Sequence, residues 1–567
     1  MATSFDDTAI DNALAELAAG EQAWAGTPLR RRRELLEQIH TRTARFAGDW
    51  VRAACTIKQL DPQSPLVGEE WMSGPLTLLQ ATTALAETLS ALEAGRSPLD
   101  GVDLRPAPGG RLAVPVLPYD AYDKLLLSGF SGEVWLRPGV DAATARRKAG
   151  LAQREPAATG GVGVVLGAGN IMSIAPLDTL YELYANNRVV ALKLNPITDP
   201  LFTVFEMIFE PLVELGVLRI LTGGAEAGGY LVRHAGVAHV HMTGSSVTHD
   251  AIVWGTGPDA IERRHDRRPL LDKPITSELG GVSPTIVVPG EWSEADLRYQ
   301  AAHVATQRLH NGGYNCVAAQ TVVLGADWPQ KQRFLDALRE AMTQAPQRPA
   351  YYPGSDKRVA DALTAYPDAR RLGPDSGRVL VEQLPADTAL LRTEYFAPVL
   401  GVVELPGAGG EFLQRAVDFA NNELTGTLGA NLIAHPVTIK RLGLAFERAV
   451  ERLRYGTVAI NAWTGLAFLT PRASWGAYPG HTLDDVQSGI GIVHNALLLD
   501  DVERTVVRGP FRPAPRSVLH AEWALSPKPP WFVDNTTAAS TGRKLTEFYA
   551  GKNPARLPGL FASALRG

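Results

Sequence analysis

From Gly160 onward the apolar and polar positions of the chain alternate between two textures. Short, nearly solid apolar runs, GVGVVLGAGN, RVVALKL, LRILTGG and VAHVHMTGS, end in Gly, Asn or Ser. Between them stand stretches such as APLDTLYELYANN and LFTVFEMIFEPLVELG, in which apolar residues return every three or four positions. Solid runs predict buried strands, and the three-to-four spacing predicts helices. Strands separated by helices call for right-handed parallel crossovers, hence a doubly wound α/β sheet with ligands at the carboxyl ends of its strands.

The flanking regions read differently. Residues 1 to about 100 carry helical spacing almost throughout, interrupted by the turn-like DPQSPLVGEEW. In TPLRRRRELLEQIHTRTARFAGDW, Leu36, Ile39, Thr43, Phe46 and Trp50 mark the buried stripe. Thr27 is the expected N-cap, Pro28 the first helical residue, and Arg30 to Arg33 a solvated flank. From Gly101 to about Ala158, apolar runs broken by Pro and Gly predict strands or an extended excursion from the main body. Past about residue 500 the chain is rich in Pro and Arg, with a helical patch near LTEFYAG, and reads as a tail on the surface or on a neighbouring subunit.

Length and charge narrow the partners. A chain of 567 residues predicts about two to four domains. A formal net charge of -5 leaves no positive field to gather polyanions, so nucleic acid is not an expected partner. No apolar run reaches membrane-spanning length, and the acidic MATSFDDTAI lacks a basic leader, which points to the cytoplasm rather than a membrane. The two cysteines, Cys55 and Cys316, make neither a disulfide scaffold nor a Cys-rich zinc site.

Cys316 lies in QRLHNGGYNCVAAQTVV, after an Asn/Gly-rich loop and before a strand-like run. Such a position holds a side chain rigidly while leaving it reachable, although a lone cysteine is more often a small buried hydrophobe. Gly167 and Gly169 give a G-x-G at a strand end, but Met172 stands where the third glycine of a dinucleotide fingerprint belongs. Thr243-Gly244-Ser245-Ser246 opens a predicted helix whose free N–H groups suit a pyrophosphate, or is an ordinary N-cap. His239 and His241 share one strand face, but no third ligand follows at metal-site spacing, so no metal is expected.

Taken in order from about Gly160 to Gly491, the segments resemble the aldehyde dehydrogenase superfamily. The shared features are GVGVVLGAGN with Asn170, VVALK with Lys193, MTGSS with Gly244 and Ser245, and SELGGVSP with Glu278. NGGYNC with Cys316, EYFAPV with Glu394 and Phe396, and SGIG at Ser488 to Gly491 complete the set. The resemblance implies an α/β, aldehyde-dehydrogenase-like fold: a Rossmann-type cofactor domain, an α/β catalytic domain and an oligomerisation arm. The expected boundaries are 1–125 and 156–277 for the dinucleotide-binding domain and 278–485 for the catalytic domain, with 126–155 and 486–567 as arm and tail. It also implies NAD or NADP as cofactor, a small-molecule aldehyde as substrate, and a homodimer or homotetramer built through a protruding strand arm.

The implied chemistry runs through a thiohemiacetal and a thioester on Cys316, with Asn170 and the Cys316 backbone N–H holding the oxyanion and Glu278 activating the deacylating water. Lys193, Gly244, Ser245, Glu394 and Phe396 are the implied cofactor contacts. Trp463 and Phe468 follow a strand end where relatives line the substrate funnel, which favours an apolar or aromatic aldehyde.

Four positions depart from the family pattern. Tyr314 replaces the Gln two residues before the nucleophile and, with Asn315, is expected to narrow the site. Ala168-Gly169 replaces Pro-Trp, and Val282 replaces a Lys. Pro196 stands where a Glu commonly grips the adenosine ribose, which leaves NAD against NADP open. Three rival readings stay open: a reductase of the same fold that passes its acyl group to coenzyme A, a non-catalytic cofactor-binding scaffold, and a Cys–His hydrolase using His310 or His303.

Overall fold

The computed structural model describes residues 7–385 and 388–567, so residues 1–6 of the acidic amino terminus lie outside the described residues. Two sheets organise the chain. The first has six strands in the spatial order Gly489–Ile490, Ile275–Leu279, His239–Gly244, Val162–Leu166, Val189–Lys193 and Leu218–Leu221. All pair in parallel except the short Gly489–Ile490, which runs antiparallel to the Glu278 strand. The solid apolar runs fill this sheet because strands covered on both faces have no polar side to show. Val164, Val190, Ala191, Leu192 and Val240 are all 0% exposed.

The second sheet has eleven strands. Its parallel centre runs through Val502–Arg508, Thr457–Ile460, Gly429–Ile433, Ser283–Val287, Ala319–Gly325, Val399–Leu405 and Arg378–Val381. The strand that follows Cys316 is therefore central and buried along its whole length.

The expected protruding arm is not what forms. Arg111–Leu117 and Ser131–Leu136 pair antiparallel, and Ser131–Leu136 then pairs with Val502–Arg508, which lies parallel to Thr457–Ile460. These strands extend the chain's own second sheet, and the assumed arm and tail boundaries cut across it. The charges of VERTVVR disguised the strand, because Glu503 and Arg504 are buried rather than solvated. Arg111 Nε donates to Glu503 Oε2 at 2.8 Å, and Arg504 Nη1 donates to the Val450 carbonyl at 3.2 Å. A carboxylate sharing two guanidinium groups can be taken into a sheet that would exclude it alone.

The region beyond residue 508 is likewise part of the body. Phe511, Trp531, Phe532 and Val533 are buried, and the Ala538–Tyr549 helix packs on Val67–Trp71. Arg512 grips Asp296 with two hydrogen bonds of 2.8 and 2.9 Å, so an arginine that looked like surface composition is a tether.

Two details of the amino-terminal helices also differ from expectation. The second helix begins at Leu29 with Pro28 as N-cap, while the Thr27 hydroxyl donates to the Ala23 carbonyl at 2.6 Å. Arg32 is not solvated but 0% exposed. Its guanidinium lies over Trp24 and donates to the Trp24, Thr27 and Pro156 carbonyls and to Gln153 and Asn187. It joins the helical corner to the loop that leads into the first sheet.

Candidate active site

The strands of the first sheet end at one cleft of about 590 Å³. Asn170 follows the Val162–Leu166 strand, Lys193 ends the next, Gly244 ends the third with Ser245 just beyond it, and Glu278 stands near the end of the fourth. Cys316, Glu394 and Phe396 enter from the second sheet's side, and all eight of these residues line the same cleft. Chain ends hundreds of residues apart converge because parallel strands deliver every carboxyl end to one side.

The loop that presents Cys316 is shaped by backbone conformation. Asn311, Gly312 and Gly313 sit at φ 54, 68 and 83°, where residues without a Cβ, or with a short amide, fit best. The turn reverses the chain between the Glu294–Leu309 helix and the Ala319–Gly325 strand. Asn311 then holds it: its amide donates to the Asn170 and Tyr314 carbonyls, both at 3.1 Å. Asn170 returns a bond from Nδ2 to the Tyr314 carbonyl at 2.9 Å. An amide nitrogen has two donors, so that bond uses one Asn170 N–H and leaves the other to face the cleft that Asn170 lines.

Cys316 is partly open to the cleft, yet closely surrounded. Burial and then the charge of Glu278 push its thiol pKa well up, so the resting group is a thiol. Burial raises Glu278 to about 7, and the Cys316 thiol and the Trp475 ring beside it oppose that rise. A buried carboxyl poised near neutrality beside a thiol is equipped to take a proton. Burial also raises Glu394 to about 8. A Cβ on Gly280 would collide with the Glu394 carboxylate, so glycine there admits the side chain to the cleft.

On the other side of Cys316 lies a small apolar cavity of about 40 Å³, walled by Ile171, Val317, Trp463, Phe468 and Trp475 among others. Cys316 and Ile174 border both spaces. Trp463 and Phe468 stand where the funnel was expected. Tyr314 does not: its hydroxyl meets Ser355 Oγ at 2.7 Å and its ring stacks on Tyr352 at 5.5 Å, away from both spaces. Tyr314 instead backs Phe396, which packs on Tyr352 at 4.8 Å. Phe396 holds φ 44°, an uncommon backbone for an aromatic residue, and Arg358 donates to its carbonyl at 3.2 Å.

The histidines take structural partners. His303 stacks on Phe532 at 5.2 Å and bonds Gln300. His310 lines the apolar cavity, but its Nδ1 pairs with Asn315 and burial lowers its pKa to about 3. His241 meets Thr276 at 2.9 Å and Asp178 at 3.4 Å.

The cleft suits a dinucleotide. Ser245 caps the Ser246–Val253 helix by accepting from Thr248 N–H at 3.2 Å, which leaves that helix's amino end facing the cleft. Burial lowers the Lys193 pKa, and nearby Asp199 opposes that effect. A buried orphan oxygen of Glu394 also faces the space.

The Aldehyde dehydrogenase family model matches residues 138–356. The fold agrees with a putative aldehyde dehydrogenase from Burkholderia cenocepacia at TM-score 0.58 and 20% identity, covering 88% of this chain and 90% of that one. Over residues 138–356 the chain is similar to the aldehyde dehydrogenase family, and its fold is the one those enzymes share.

Named aldehyde dehydrogenases resemble the chain at similar distance. A D-glyceraldehyde dehydrogenase (NADP(+)) from Picrophilus torridus is 25% identical over 49% of this chain and 54% of its own length. Aldehyde dehydrogenase LUC3 from Fusarium is 26% identical over 57% of this chain and 66% of its own. The chain thus spans about half to two thirds of the curated relatives it matches. A glyceraldehyde-3-phosphate dehydrogenase from Methanocaldococcus jannaschii complexed with NADP superposes at TM-score 0.60 and 14% identity, covering 89% of this chain and 95% of that one.

Nothing in the sequence pattern singled out a buried cluster behind the Cys316 loop. Lys58 donates to Glu70 at 2.9 Å and to Asn311 at 3.0 Å, and Glu69 accepts from the Asn311 N–H at 3.0 Å and pairs with Arg348. Lys58, Glu69 and Glu70 sit at separate points of a helical region where charge ordinarily means solvent. Only the Asn-Gly-Gly of the loop itself carried a signal.

Proposed function

We propose that this chain is an NAD(P)-dependent aldehyde dehydrogenase that releases a carboxylic acid. The observation that carries the reading is Cys316, standing beside Glu278 at the border between a dinucleotide-sized cleft and an apolar cavity.

In this reading Glu278 takes the thiol proton as the sulfur adds to the aldehyde carbon, so the buried thiol need not ionise unaided. The new oxyanion meets the Cys316 backbone N–H and the free donor of Asn170, each worth about a hundredfold in rate. A nicotinamide bound in the cleft supplies the two-electron acceptor for the aldehyde carbon. Lys193, Gly244, Ser245 and Glu394 would hold the dinucleotide, and Phe396 would flank its ring. Once Glu278 has released the thiol proton to solvent, it draws a proton from water, whose oxygen attacks the thioester carbonyl and expels the Cys316 thiolate. Trp463 and Phe468 favour an apolar acyl group.

The carboxylates lining the cleft are Glu278 and Glu394, both on the nucleophile's side, whereas Lys193 and Arg233 supply cations elsewhere along it. Pro196 opens a 3-10 turn outside the lining. We assign NADP as the preferred cofactor on that charge pattern. Leu519, Trp523 and Leu525 are exposed on the carboxy-terminal segment and give an apolar face on which a homodimer or homotetramer would form. Two free cysteines, and no described helix long and apolar enough to cross a membrane, accord with a cytoplasmic enzyme.

Product analysis tests the reading: octanal with NADP and no coenzyme A should yield octanoic acid. Product formed only when coenzyme A is added would contradict it.

A further inference from the structure

The apolar cavity beside Cys316 shares part of its wall with another cavity. Met72 and Leu469 border it and also border a second chamber of about 110 Å³, farther from the cofactor cleft. The roof of that chamber is the carboxy-terminal segment: Trp531, Leu545 of the Ala538–Tyr549 helix, and Leu560 and Ala564 of the last helix. This is the part of the chain that composition presented as an accessory tail.

We propose that the outer chamber is the distal half of the substrate site. It takes the apolar tail of a long aldehyde, so that the carboxy-terminal segment sets chain-length selectivity. The inference rests on the dehydrogenase reading of Cys316.

Size argues first. By the space one water needs, the inner cavity holds roughly three carbon-sized groups and the outer one roughly nine. The inner space thus fits a reacting carbonyl and its nearest neighbours, and an unbranched chain of about ten carbons needs both.

Chemistry argues second. Leu76, Leu127, Phe130 and Leu545 give the chamber hydrocarbon walls, and the polar ends near it are engaged elsewhere. Lys528 Nζ donates to the Asp534 carbonyl at 3.2 Å, and the Tyr549 hydroxyl donates to Asp123 at 3.2 Å. No charged group is left facing inward for a polar substrate tail, and a chamber so lined favours hydrocarbon over water.

The partition argues third. Met72 opens a segment in which Gly74 leaves helical geometry (φ -112°, ψ -108°) ahead of Pro75. An unbranched thioether at such a break repacks with little resistance, which suits a wall that must yield to a chain passing between the two spaces.

The test is a homologous series of n-alkanals from propanal to dodecanal, with both nicotinamide cofactors. Each added methylene should raise kcat/KM about fourfold until both spaces are full at about twelve carbons. Ala564→Phe, which fills the chamber from its roof, should lower the decanal-to-propanal ratio of kcat/KM at least tenfold. Leu545→Phe repeats the test from a different helix, with thermal unfolding confirming that each variant is folded. Calorimetric titration of the wild-type enzyme with decanoate and butyrate reads the chamber without turnover, and decanoate should bind at least a hundredfold more tightly.

A flat chain-length series, or variants that leave the decanal-to-propanal ratio unchanged, would overturn the chamber while leaving the dehydrogenase reading intact. Tight decanoate binding that Ala564→Phe removes, with no alkanal oxidised by either cofactor, would overturn the dehydrogenase reading and leave the chamber as an apolar-ligand site. Equal binding of decanoate and butyrate would overturn the chamber independently of activity.

Discussion

Lys58 Nζ donates to Asn311 Oδ1 at 3.0 Å in a fully buried contact that ties the second helix to the loop carrying the nucleophile. The Tyr351 hydroxyl donates to the same oxygen at 3.1 Å and to the Asn170 carbonyl at 3.2 Å. Asn311 thereby fixes the spacing between the two oxyanion donors we assign. Asn311→Gly keeps the left-handed turn but removes the side chain, so stability should change modestly while kcat falls on the order of a hundredfold. Stopped-flow kinetics with urea unfolding separates the two effects.

The other end of the contact answers differently. Lys58→Met leaves Glu70 buried without its cation and should cost about 3–5 kcal/mol of stability. Denaturant midpoints measure it, and a loss below about 1 kcal/mol would show that the cluster does not brace the loop.

Glu278 predicts opposite changes in rate and stability. Its folded-state pKa of about 7 stands above the ordinary 4.5. The folded chain therefore retains a proton that the unfolded chain releases, and stability falls as pH rises from about 4.5 to 7. The deacylation rate should climb through the same upper range and level off above pH 7. Glu278→Gln should lose turnover yet gain on the order of 1–3 kcal/mol at pH 8, with no gain at pH 4. Thermal unfolding across pH checks the sign.

Tyr314 should behave as core, not as a selectivity wall. Tyr314→Gln removes a buried ring packed on Tyr351, Tyr352 and Phe396 and should cost about 2–4 kcal/mol. The ratio of kcat/KM between short and long aldehydes should stay unchanged, and a shift in that ratio would return Tyr314 to the site wall.

Lys193 should matter more to NADP than to NAD. If it meets a 2'-phosphate, Lys193→Ala should weaken NADP binding about tenfold more than NAD binding. Equal weakening of both in fluorescence titration would place Lys193 elsewhere on the dinucleotide.

The central βαβ region was legible in the sequence because strands such as Val189–Lys193, covered on both faces, are apolar throughout. The site was legible where a residue had to be of one kind: a cysteine after an Asn-Gly-Gly turn, a glutamate beside Gly280-Gly281, an asparagine at a strand end. What stayed hidden was decided by pairing across long sequence distance. Glu503 read as tail because Arg111, which pairs with it alongside neighbouring Arg504, is nearly four hundred residues away. Arg32 read as surface for the same reason, since a buried charge differs from an exposed one only in what surrounds it. Tyr314 was misplaced because spacing along a loop fixes a residue's position but not the direction of its ring.

Rapid-quench mass spectrometry of the wild-type protein after mixing with octanal and NADP tests the central claim most directly. The account predicts a transient octanoyl adduct, mapped to the peptide containing Cys316 and absent from Cys316→Ser. An unmodified Cys316 peptide despite cofactor reduction, or an adduct on any other residue, would contradict it.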